Sequence, residues 1–293
     1  MDSGRRRIGW LLVALCMVAP VASAAQDTPG DERLIEETLK LSGVTRQLEQ
    51  LNSVILGAIP EDAFPDRKTR REAETVLEKE ASSKELLRIV CQAVRDQIDR
   101  QAIEECLAFC RTPLGRKVGR VAGTALMSGA LREIRESRNL LAGLPEERMG
   151  LLKRIVAAEQ VVELNVLLLT EAVEGLVDGA EAEALQGQTR THEARKRMLG
   201  IDSLIRAGKA RTEPLAMTAS AYTLKSLTDG ELQSLAENRE SSSAKWFRKA
   251  LHEGFRQAVY HSANCLGRFI GQKRREIEQG SRGREEPLPP NPW

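Results

Sequence analysis

Cysteine is the residue type that offers this chain its clearest covalent chemistry. Of the five cysteines in the 293 residues, four lie after the N-terminal apolar segment, at Cys91, Cys106, Cys110 and Cys265. In an oxidising compartment such an even set often forms disulfides. Cys106 and Cys110 are one helical turn apart, so their Cβ atoms are separated by roughly 5–6 Å, which is too far for ordinary disulfide geometry.

Cys91 and Cys106 are placed symmetrically about a predicted turn at Ile98-Asp99. If the helices on either side form an antiparallel hairpin, the two thiols face each other, and we predict a disulfide between them. Closing this loop of about 15 residues would stabilise the fold by roughly 3 kcal/mol in the chain-entropy model. Cys110 is the competing partner for Cys91, Cys265 is then available to link the two halves, and four buried free thiols are the alternative interpretation.

The histidines do not form a metal-binding pattern. His192 and His252 are each followed by glutamate, as in the zinc motif H-E-x-x-H, but Lys196 and Arg256 occupy the position of the second ligand. His252 and His261 are nine residues apart, about half a helical turn out of phase, so one straight helix cannot present both to a metal. We predict surface histidines and neither a metal nor a cofactor.

Other catalytic patterns are also missing from the sequence. It contains no G-x-S-x-G elbow, phosphate-binding loop or dinucleotide fingerprint. The acidic pairs Glu36-Glu37 and Glu104-Glu105 are adjacent on predicted helices and point apart, which is typical of solvated faces rather than of a glycosidase couple. The sequence therefore favours a non-catalytic protein over an enzyme.

Residues 1–24 have the organisation of a cleaved secretory signal. Arg5-Arg6-Arg7 form a basic region, an apolar run follows over 8–19, and Ala22-Ser23-Ala24 supplies the small-x-small pattern that signal peptidase reads. The apolar run is too short to span a bilayer, which needs roughly 20 helical residues. We therefore predict a periplasmic protein that begins at Ala25 and has no transmembrane segment after cleavage. Lipidation at Cys16 is the rival interpretation, although Leu15 stands where a lipobox requires a small residue.

The charge balance argues against two classes of partner. The whole chain has 44 basic and 42 acidic residues, and without residues 1–24 it has 41 of each. A neutral chain has no global field to recruit nucleic acid or anionic lipid. Aromatic residues make up only 3% of the sequence, which argues against stacking recognition of sugars or bases in the first half. Another envelope protein is the expected partner.

Helical periodicity dominates the sequence, and alternating strand patterns are nearly absent. Apolar residues recur at helical spacing in two clear segments, at Leu48, Leu51, Ile55 and Ile59 and at Leu87, Val90, Cys91, Val94 and Ile98. Polar side chains suited to capping a helix precede predicted helices, at Asp66, at Ser82 with Glu85, and at Asp99. Further helices are expected from Pro145, near 188–206, from Pro214 and over 229–279. We predict an all-α fold of antiparallel helical hairpins.

The most specific string after the signal runs from Phe109 to Val118 and reads F-C-R-T-P-L-G-R-K-V. It resembles the motif F-Y-x-S-P-x-G-x-K of the secreted Gram-negative family catalogued as domain of unknown function 2059. Cys110 stands where that family usually has tyrosine, and Thr112 where it usually has serine. The segment 39–43, L-K-L-S-G, also resembles the family's opening helix pair. The resemblance implies a helical fold and an exported protein, but no reaction.

This string has a structural explanation. Thr112-Pro113 ends one helix and starts the next, because proline disfavours helical geometry before it and is tolerated in a first turn. Phe109 would then be the apolar plug beneath the corner. Glycines four residues apart form a smooth helix stripe that another backbone can approach closely, at Gly115, Gly119 and Gly123. The alternative is a partner-docking corner whose exposed charges are Arg111, Arg116 and Lys117.

A weaker copy of this region follows 129 residues later. Residues 227–232 align with 98–103, and 241–247 align with 112–118, although the proline and the first aromatic residue are lost. We predict two tandem divergent helical units. The first covers 31–140, the second covers 145–279, and a disordered tail follows over 280–293.

These features favour a soluble periplasmic helical protein of the non-catalytic kind, either a binding protein or a structural accessory of the envelope. The alternatives are an envelope hydrolase whose site is assembled only in three dimensions, and a holdase-like chaperone. A deep pocket lined by perturbed carboxylates would favour the hydrolase. A shallow surface with an apolar groove would favour the binding protein.

Overall fold

The structure is a computed structural model, and it describes residues 29–59, 64, 66–125, 133–134, 136–137, 140–184 and 214–282. Within these residues the secondary structure is helical and contains no strand. The predicted all-α class is therefore confirmed. The predicted signal at 1–24, with Cys16, and the predicted helix near 188–206, with His192, lie outside the described residues.

The first half of the described chain is a series of short helices. They are α1 (Pro29–Leu41), α2 (Val44–Ala58), α3 (Arg67–Glu80), α4 (Ser83–Arg95), α5 (Arg100–Arg111) and α6 (Pro113–Thr124). Three predicted N-caps are confirmed, because Asp66, Ser82 and Asp99 each accept a hydrogen bond from the backbone N–H three residues further on. Each cap satisfies a backbone donor that the first turn of a helix leaves without a partner.

The second half contains longer helices. They are α7 (Glu146–Ala158), α8 (Val161–Ala184), α9 (214–223), α10 (Asp229–Glu240) and α11 (Ser242–Arg282). The predicted tail at 280–293 starts too early, because α11 continues through residues 280–282, while 283–293 lie outside the described residues. In the part of the chain that is described, no helix is long and apolar enough to cross a membrane.

Helices that are distant in sequence pack side by side and run in the same direction. Between α8 and α11, Glu171 pairs with Arg256 and Glu183 pairs with Arg275. Residue numbers therefore rise together along both helices. Four glycines let these two backbones come close, because a Cβ at any of them would meet backbone atoms of the facing helix, and they are Gly175, Gly179, Gly267 and Gly271.

The antiparallel hairpin expected from α4 and α5 is not the arrangement in the structure. Helices α1 and α11 each pack against both α4 and α5, whereas α4 and α5 make few contacts with each other. The indole N–H of Trp246 in α11 donates to the carbonyl of Gln97 in the turn between them, at 2.8 Å. The long last helix therefore occupies the place that a hairpin partner would have taken.

The hydrophobic interior is shared between the two predicted units. The larger cluster combines residues of α1 to α5 with residues of α8 and α11. A smaller cluster places Val118 and Ala122 of α6 against α7 and α10. Each half thus contributes its last helix to the core of the other half, and this exchange positions the corner between α5 and α6.

Candidate functional site

The corner between α5 and α6, defined by Phe109–Val118 and called the Thr112 corner below, is built around one threonine. Its hydroxyl donates to the carbonyl of Phe109 at 2.7 Å and accepts from the N–H of Gly115 at 2.9 Å. The backbone N–H of Thr112 also donates to Phe109, at 2.9 Å. Pro113 is the first residue of α6 and has no N–H to satisfy. The predicted helix end and helix start are both confirmed.

The predicted close approach along the glycine stripe is also confirmed. A Cβ at Gly119 would lie 1.9 Å from the carbonyl oxygen of Leu41, and one at Gly115 would lie 2.0 Å from that of Phe109. Gly43 has a φ of 90°, and a Cβ there would lie 2.3 Å from the oxygen of Gly119. The turn between α1 and α2 therefore sits directly on α6. The segment 39–43 thus meets α6 immediately after the string 109–118 that carries the family resemblance.

Phe109 is half-buried rather than a fully buried plug. Its ring packs against the smaller hydrophobic cluster, and the guanidinium carbon of Arg239 lies 5.6 Å from the ring centroid. Phe109 therefore connects the Thr112 corner to the second half of the chain. Sequence reasoning placed the ring correctly beneath the corner but did not determine its degree of burial.

Two of the three predicted corner charges form ion pairs with other helices of the same chain. Arg111 donates to both carboxylate oxygens of Glu37, at 2.8 and 2.9 Å. Lys117 donates to both oxygens of Glu231, at 2.9 and 2.7 Å, and this hydrogen bond lowers the pKa of the Glu231 carboxyl. Arg116 is exposed. The corner is thus held by ion pairs to α1 and α10.

An open cleft of about 290 Å³ lies between α1 and α5, immediately before the Thr112 corner. Its floor is apolar and consists of Leu34, Leu107 and Ala108. Its rim carries charges of both signs, at Arg33, Glu37, Glu104 and Arg111. We call this the α1–α5 cleft. The sequence signal for it was weak, since its floor residues are ordinary apolar positions of two separate helices.

The predicted disulfide between Cys91 and Cys106 is not formed, and all four described cysteines are free and buried. Cys91 lies near Glu36 of α1, whereas the thiol of Cys106 donates to the carbonyl of Ser243 in α11 at 3.5 Å. The two side chains face different neighbours because α4 and α5 do not pack as a hairpin. Burial raises the pKa of Cys91 to about 11, of Cys106 to about 12 and of Cys110 to about 11.

Sequence reasoning missed a buried ionic cluster below the corner. Glu159 is fully buried, and one carboxylate oxygen lies 2.5 Å from Nε of Arg239. Burial raises the pKa of Glu159, against the opposing charges of Arg239 and Arg248. Arg248 is itself buried, which lowers the pKa of its guanidinium. Breaking such a pair typically costs about 3–5 kcal/mol, so the cluster has a structural role.

The histidines do not behave as uniform surface residues. His252 is largely buried, and burial together with the nearby charge of Arg248 lowers its pKa to about 4. Arg256, which stands where a zinc motif needs its second histidine, pairs with Glu171. The ring of His261 approaches Cys265. Among the described residues, no group of three or more His, Cys, Asp or Glu side chains could hold a metal ion.

The described residues define an all-α protein with a rigid interhelical corner and an adjacent open cleft. A scan against protein-family models, a search of curated proteins and a search of solved structures each returned no match. The resemblance to domain of unknown function 2059 therefore stays a prediction that rests on the residues quoted above.

Proposed function

We propose that this protein is exported to the periplasm by the signal at residues 1–24 and acts there as a non-catalytic binding or structural accessory of the envelope. Its partner is another envelope protein, and its binding surface is the α1–α5 cleft. The observation that carries the proposal is the position of this open, apolar-floored cleft beside the rigidly held Thr112 corner.

Ion pairs join the walls of the cleft at both ends. At one end Arg100 pairs with Asp31 at 3.1 Å, and at the other Arg111 pairs with Glu37 at 2.8 Å. Binding to a fixed surface avoids much of the entropy cost of ordering loops. The cleft therefore suits a partner that must be held in one orientation.

The lining of the cleft defines the chemistry of its occupant. A volume of about 290 Å³ lies at the lower end of the roughly 300–1,000 Å³ typical of small-molecule pockets, and the cleft is open along one side. Its apolar floor accommodates one or two aliphatic side chains. Because the rim offers both Arg33 and Glu104, the matching segment carries an acidic and a basic residue on either side of its apolar anchor.

Site-specific photocrosslinking in cells tests this proposal. A photoreactive residue replaces Ala108 on the cleft floor, or Ala157 as a matched control, which is likewise an exposed alanine within a helix. The crosslinked segment is identified by mass spectrometry and synthesised, and its binding to the purified protein is measured by fluorescence anisotropy. We expect Ala108→Arg to weaken binding at least about tenfold and Ala157→Arg to leave it unchanged.

Two outcomes would contradict the proposal. The first is that no protein crosslinks at position 108 above the level seen at 157. The second is that the identified segment binds equally well to both arginine variants. If, instead, the purified protein suppresses the aggregation of unrelated clients and both variants do so equally, the holdase alternative replaces it.

A further inference from the structure

Cys265 differs from the other cysteines in the groups that surround its sulfur. On α11, His261 precedes it by four residues and Arg268 follows it by three, so all three side chains share one helix face. Nη2 of Arg268 donates to Sγ at 3.5 Å, and Nε2 of His261 lies 3.9 Å from Sγ. In contrast, the sulfur of Cys106 is a donor to a carbonyl.

The end of helix α3 determines that Nε2 of the His261 ring carries a hydrogen. Nε2 of His261 lies 3.0 Å from the carbonyl oxygen of Glu80, the last residue of α3. A carbonyl only accepts, so Nε2 carries a hydrogen, and the same N–H also faces the sulfur. The C-terminus of a helix favours a cation. The hydrogen bond to Cys265 and that to Glu80 raise the pKa of His261.

Arg268 covers the sulfur from the solvent side. Cys265 is only 1% exposed, whereas the side chain of Arg268 is 45% exposed. Its guanidinium joins Sγ to the carboxylate of Glu80, which it contacts at 3.0 Å. Reagents would reach the sulfur through a change of rotamer at this long side chain.

We propose that Cys265 is a reactive thiolate, ion-paired with His261 and gated by Arg268, and that it is a site of oxidation by small peroxides. The thiolate attacks one oxygen of hydrogen peroxide, so that an S–O bond forms and the O–O bond breaks. The departing hydroxide takes the proton of the His261 imidazolium. The products are a sulfenic acid, water and a neutral imidazole, the sulfur having lost the two electrons that the peroxide gains.

The charges around the site agree with a thiolate. Burial acts to raise the pKa of Cys265, but the hydrogen bonds from His261 and Arg268 outweigh it and lower the pKa overall. The facing helices contribute carboxylates that act on these cations rather than on the sulfur, and they are Glu80 of α3, Glu85 of α4 and Glu183 of α8. The three other thiols, whose pKa values are raised by burial, serve as internal controls in the same molecule.

The experiment measures the modification rate of each cysteine in the folded, signal-free chain by quantitative mass spectrometry. Alkylation is followed from pH 5 to pH 10, and sulfenic acid formed by added hydrogen peroxide is trapped with a 1,3-dione. We expect Cys265 to react at least about tenfold faster than Cys91, Cys106 or Cys110. We also expect its rate to reach half its maximum below the ordinary thiol pKa of about 8.5.

Variants separate the ion pair from the gate. His261→Gln should raise the pH midpoint of the Cys265 reaction, because it removes the neighbouring cation. Glu80→Gln should increase the maximal rate, because it releases Arg268 from above the sulfur, and it should raise the midpoint less than His261→Gln does, because the imidazolium stays in place. Glu72→Gln is the matched control, since Glu72 is also a glutamate of α3 that pairs with a cation of α11, Lys273, at 3.0 Å, and it should change neither quantity.

Several results would overturn this inference. The first is that Cys265 reacts no faster than the other three cysteines, and the second is that the pH midpoint of its reaction lies at or above that of an ordinary thiol. An unchanged midpoint in a folded His261→Gln variant, verified by its circular dichroism, would contradict the ion pair. Fast alkylation without a dione adduct after peroxide treatment would contradict oxidation at this site.

Discussion

Ion pairs join α1 to α5 and α7 to α10 at corresponding positions, but the helix that carries the acidic residue in one pair carries the basic residue in the other. In the first pair Arg100 of α5 donates to Asp31 of α1. In the second pair Arg148 of α7 donates to Asp229 of α10. Arg148 lies 117 residues after Asp31, and Asp229 lies 129 residues after Arg100. The acid and the base have therefore exchanged helices.

The ion pairs at the other end of each helix pair show the same exchange of acidic and basic residues. Glu37 of α1 pairs with Arg111 of α5, and Arg154 of α7 pairs with Glu240 of α10, both at 2.8 Å. The same shifts of 117 and 129 residues relate these positions. If α1 packed on α10, or α7 on α5, like charges would meet at both ends. The reversal therefore favours the observed pairing over its exchanged alternative.

The two interhelical corners show what the halves have kept in common. Thr112 has φ −65° and ψ 160°, and Ser241 has φ −66° and ψ 158°. Each backbone N–H donates to the carbonyl three residues earlier, and each hydroxyl accepts from the N–H three residues later. A hydroxyl residue is therefore sufficient for the corner, and the proline found at 113 is not required.

The residues after each corner explain why the halves pack differently. Gly119 and Gly123 let the turn at Gly43 approach the backbone of α6. In α11, Arg248 and His252 take the places of these two glycines, and Trp246 and Phe247, which align with Lys117 and Val118, are almost fully buried in the larger cluster. Glycine thus admits a backbone, whereas the aromatic residues fill a core, and one type of corner serves two packing roles.

The α1–α5 cleft also has a counterpart in the second half. The residues that correspond to Leu34 and Leu107 are Leu151 and Ala236, and both of these are buried. In the first half Leu34 is only half-buried, whereas Leu107 is buried as Ala236 is, and Ala108 is exposed as its counterpart Glu237 is. These correspondences support the interpretation of two divergent copies of one helical unit. The greater exposure of Leu34 directs the proposed binding function to the first copy.

The largest effect is expected where the first corner depends on glycine. Gly119→Leu should destabilise the protein by about 3 kcal/mol, because its side chain would collide with the backbone at Leu41. Gly57→Leu is the control, since no atom lies within 4 Å of a Cβ at that exposed helical position, and better helix propensity should leave it neutral or slightly stabilised. Urea unfolding measures both, and equal midpoints would contradict the contact.

A smaller loss is expected from the ring beneath the first corner. Phe109→Ala should cost about 2 kcal/mol, below the 3–5 kcal/mol typical of a fully buried ring, because Phe109 is half-buried. Asn238 holds the equivalent position in the second half, and Asn238→Ala should cost less than about 1 kcal/mol. If thermal unfolding gives the same loss for both variants, the ring does not connect the halves as the structure indicates.

Sequence reasoning predicted local features of the fold well because they depend on neighbouring residues. The cap at Asp99, the Thr112-Pro113 corner and the close approach at Gly119 each follow from the geometry of one or two turns. Phe109 was placed correctly for the same reason. Its degree of burial could not be read from the sequence, since that depends on Arg239 and on the second half of the chain.

Long-range packing could not be read in the same way. The disulfide between Cys91 and Cys106 was predicted on the assumption that consecutive helices pack together, but α1 and α11 take that place. The buried pair of Glu159 and Arg239 joins residues that are 80 positions apart, and neither stands in a recognisable motif. The spacing of His261, Cys265 and Arg268 along α11 is visible in the sequence. Their proposed role as a thiolate site also depends on the end of α3, where Glu80 contacts both His261 and Arg268.

The smallest effect tests the charge reversal itself. Glu37→Arg or Arg111→Glu alone should destabilise the protein by about 1 kcal/mol or less, because the pair is substantially exposed. The double variant gives the first half the charge orientation of Arg154 and Glu240, and it should recover most of the loss. Urea unfolding at low and high sodium chloride measures this double-mutant cycle, and salt should reduce the coupling.

The pair of Arg88 and Glu85 is the control for this cycle, because both residues belong to α4 and their ion pair does not join two helices. Its exchange should be close to neutral at either salt concentration. A double variant at 37 and 111 that is no more stable than the single variants would show that the two orientations are not interchangeable. The charge reversal would then reflect the surroundings of each helix pair, and it would not select the helix partners.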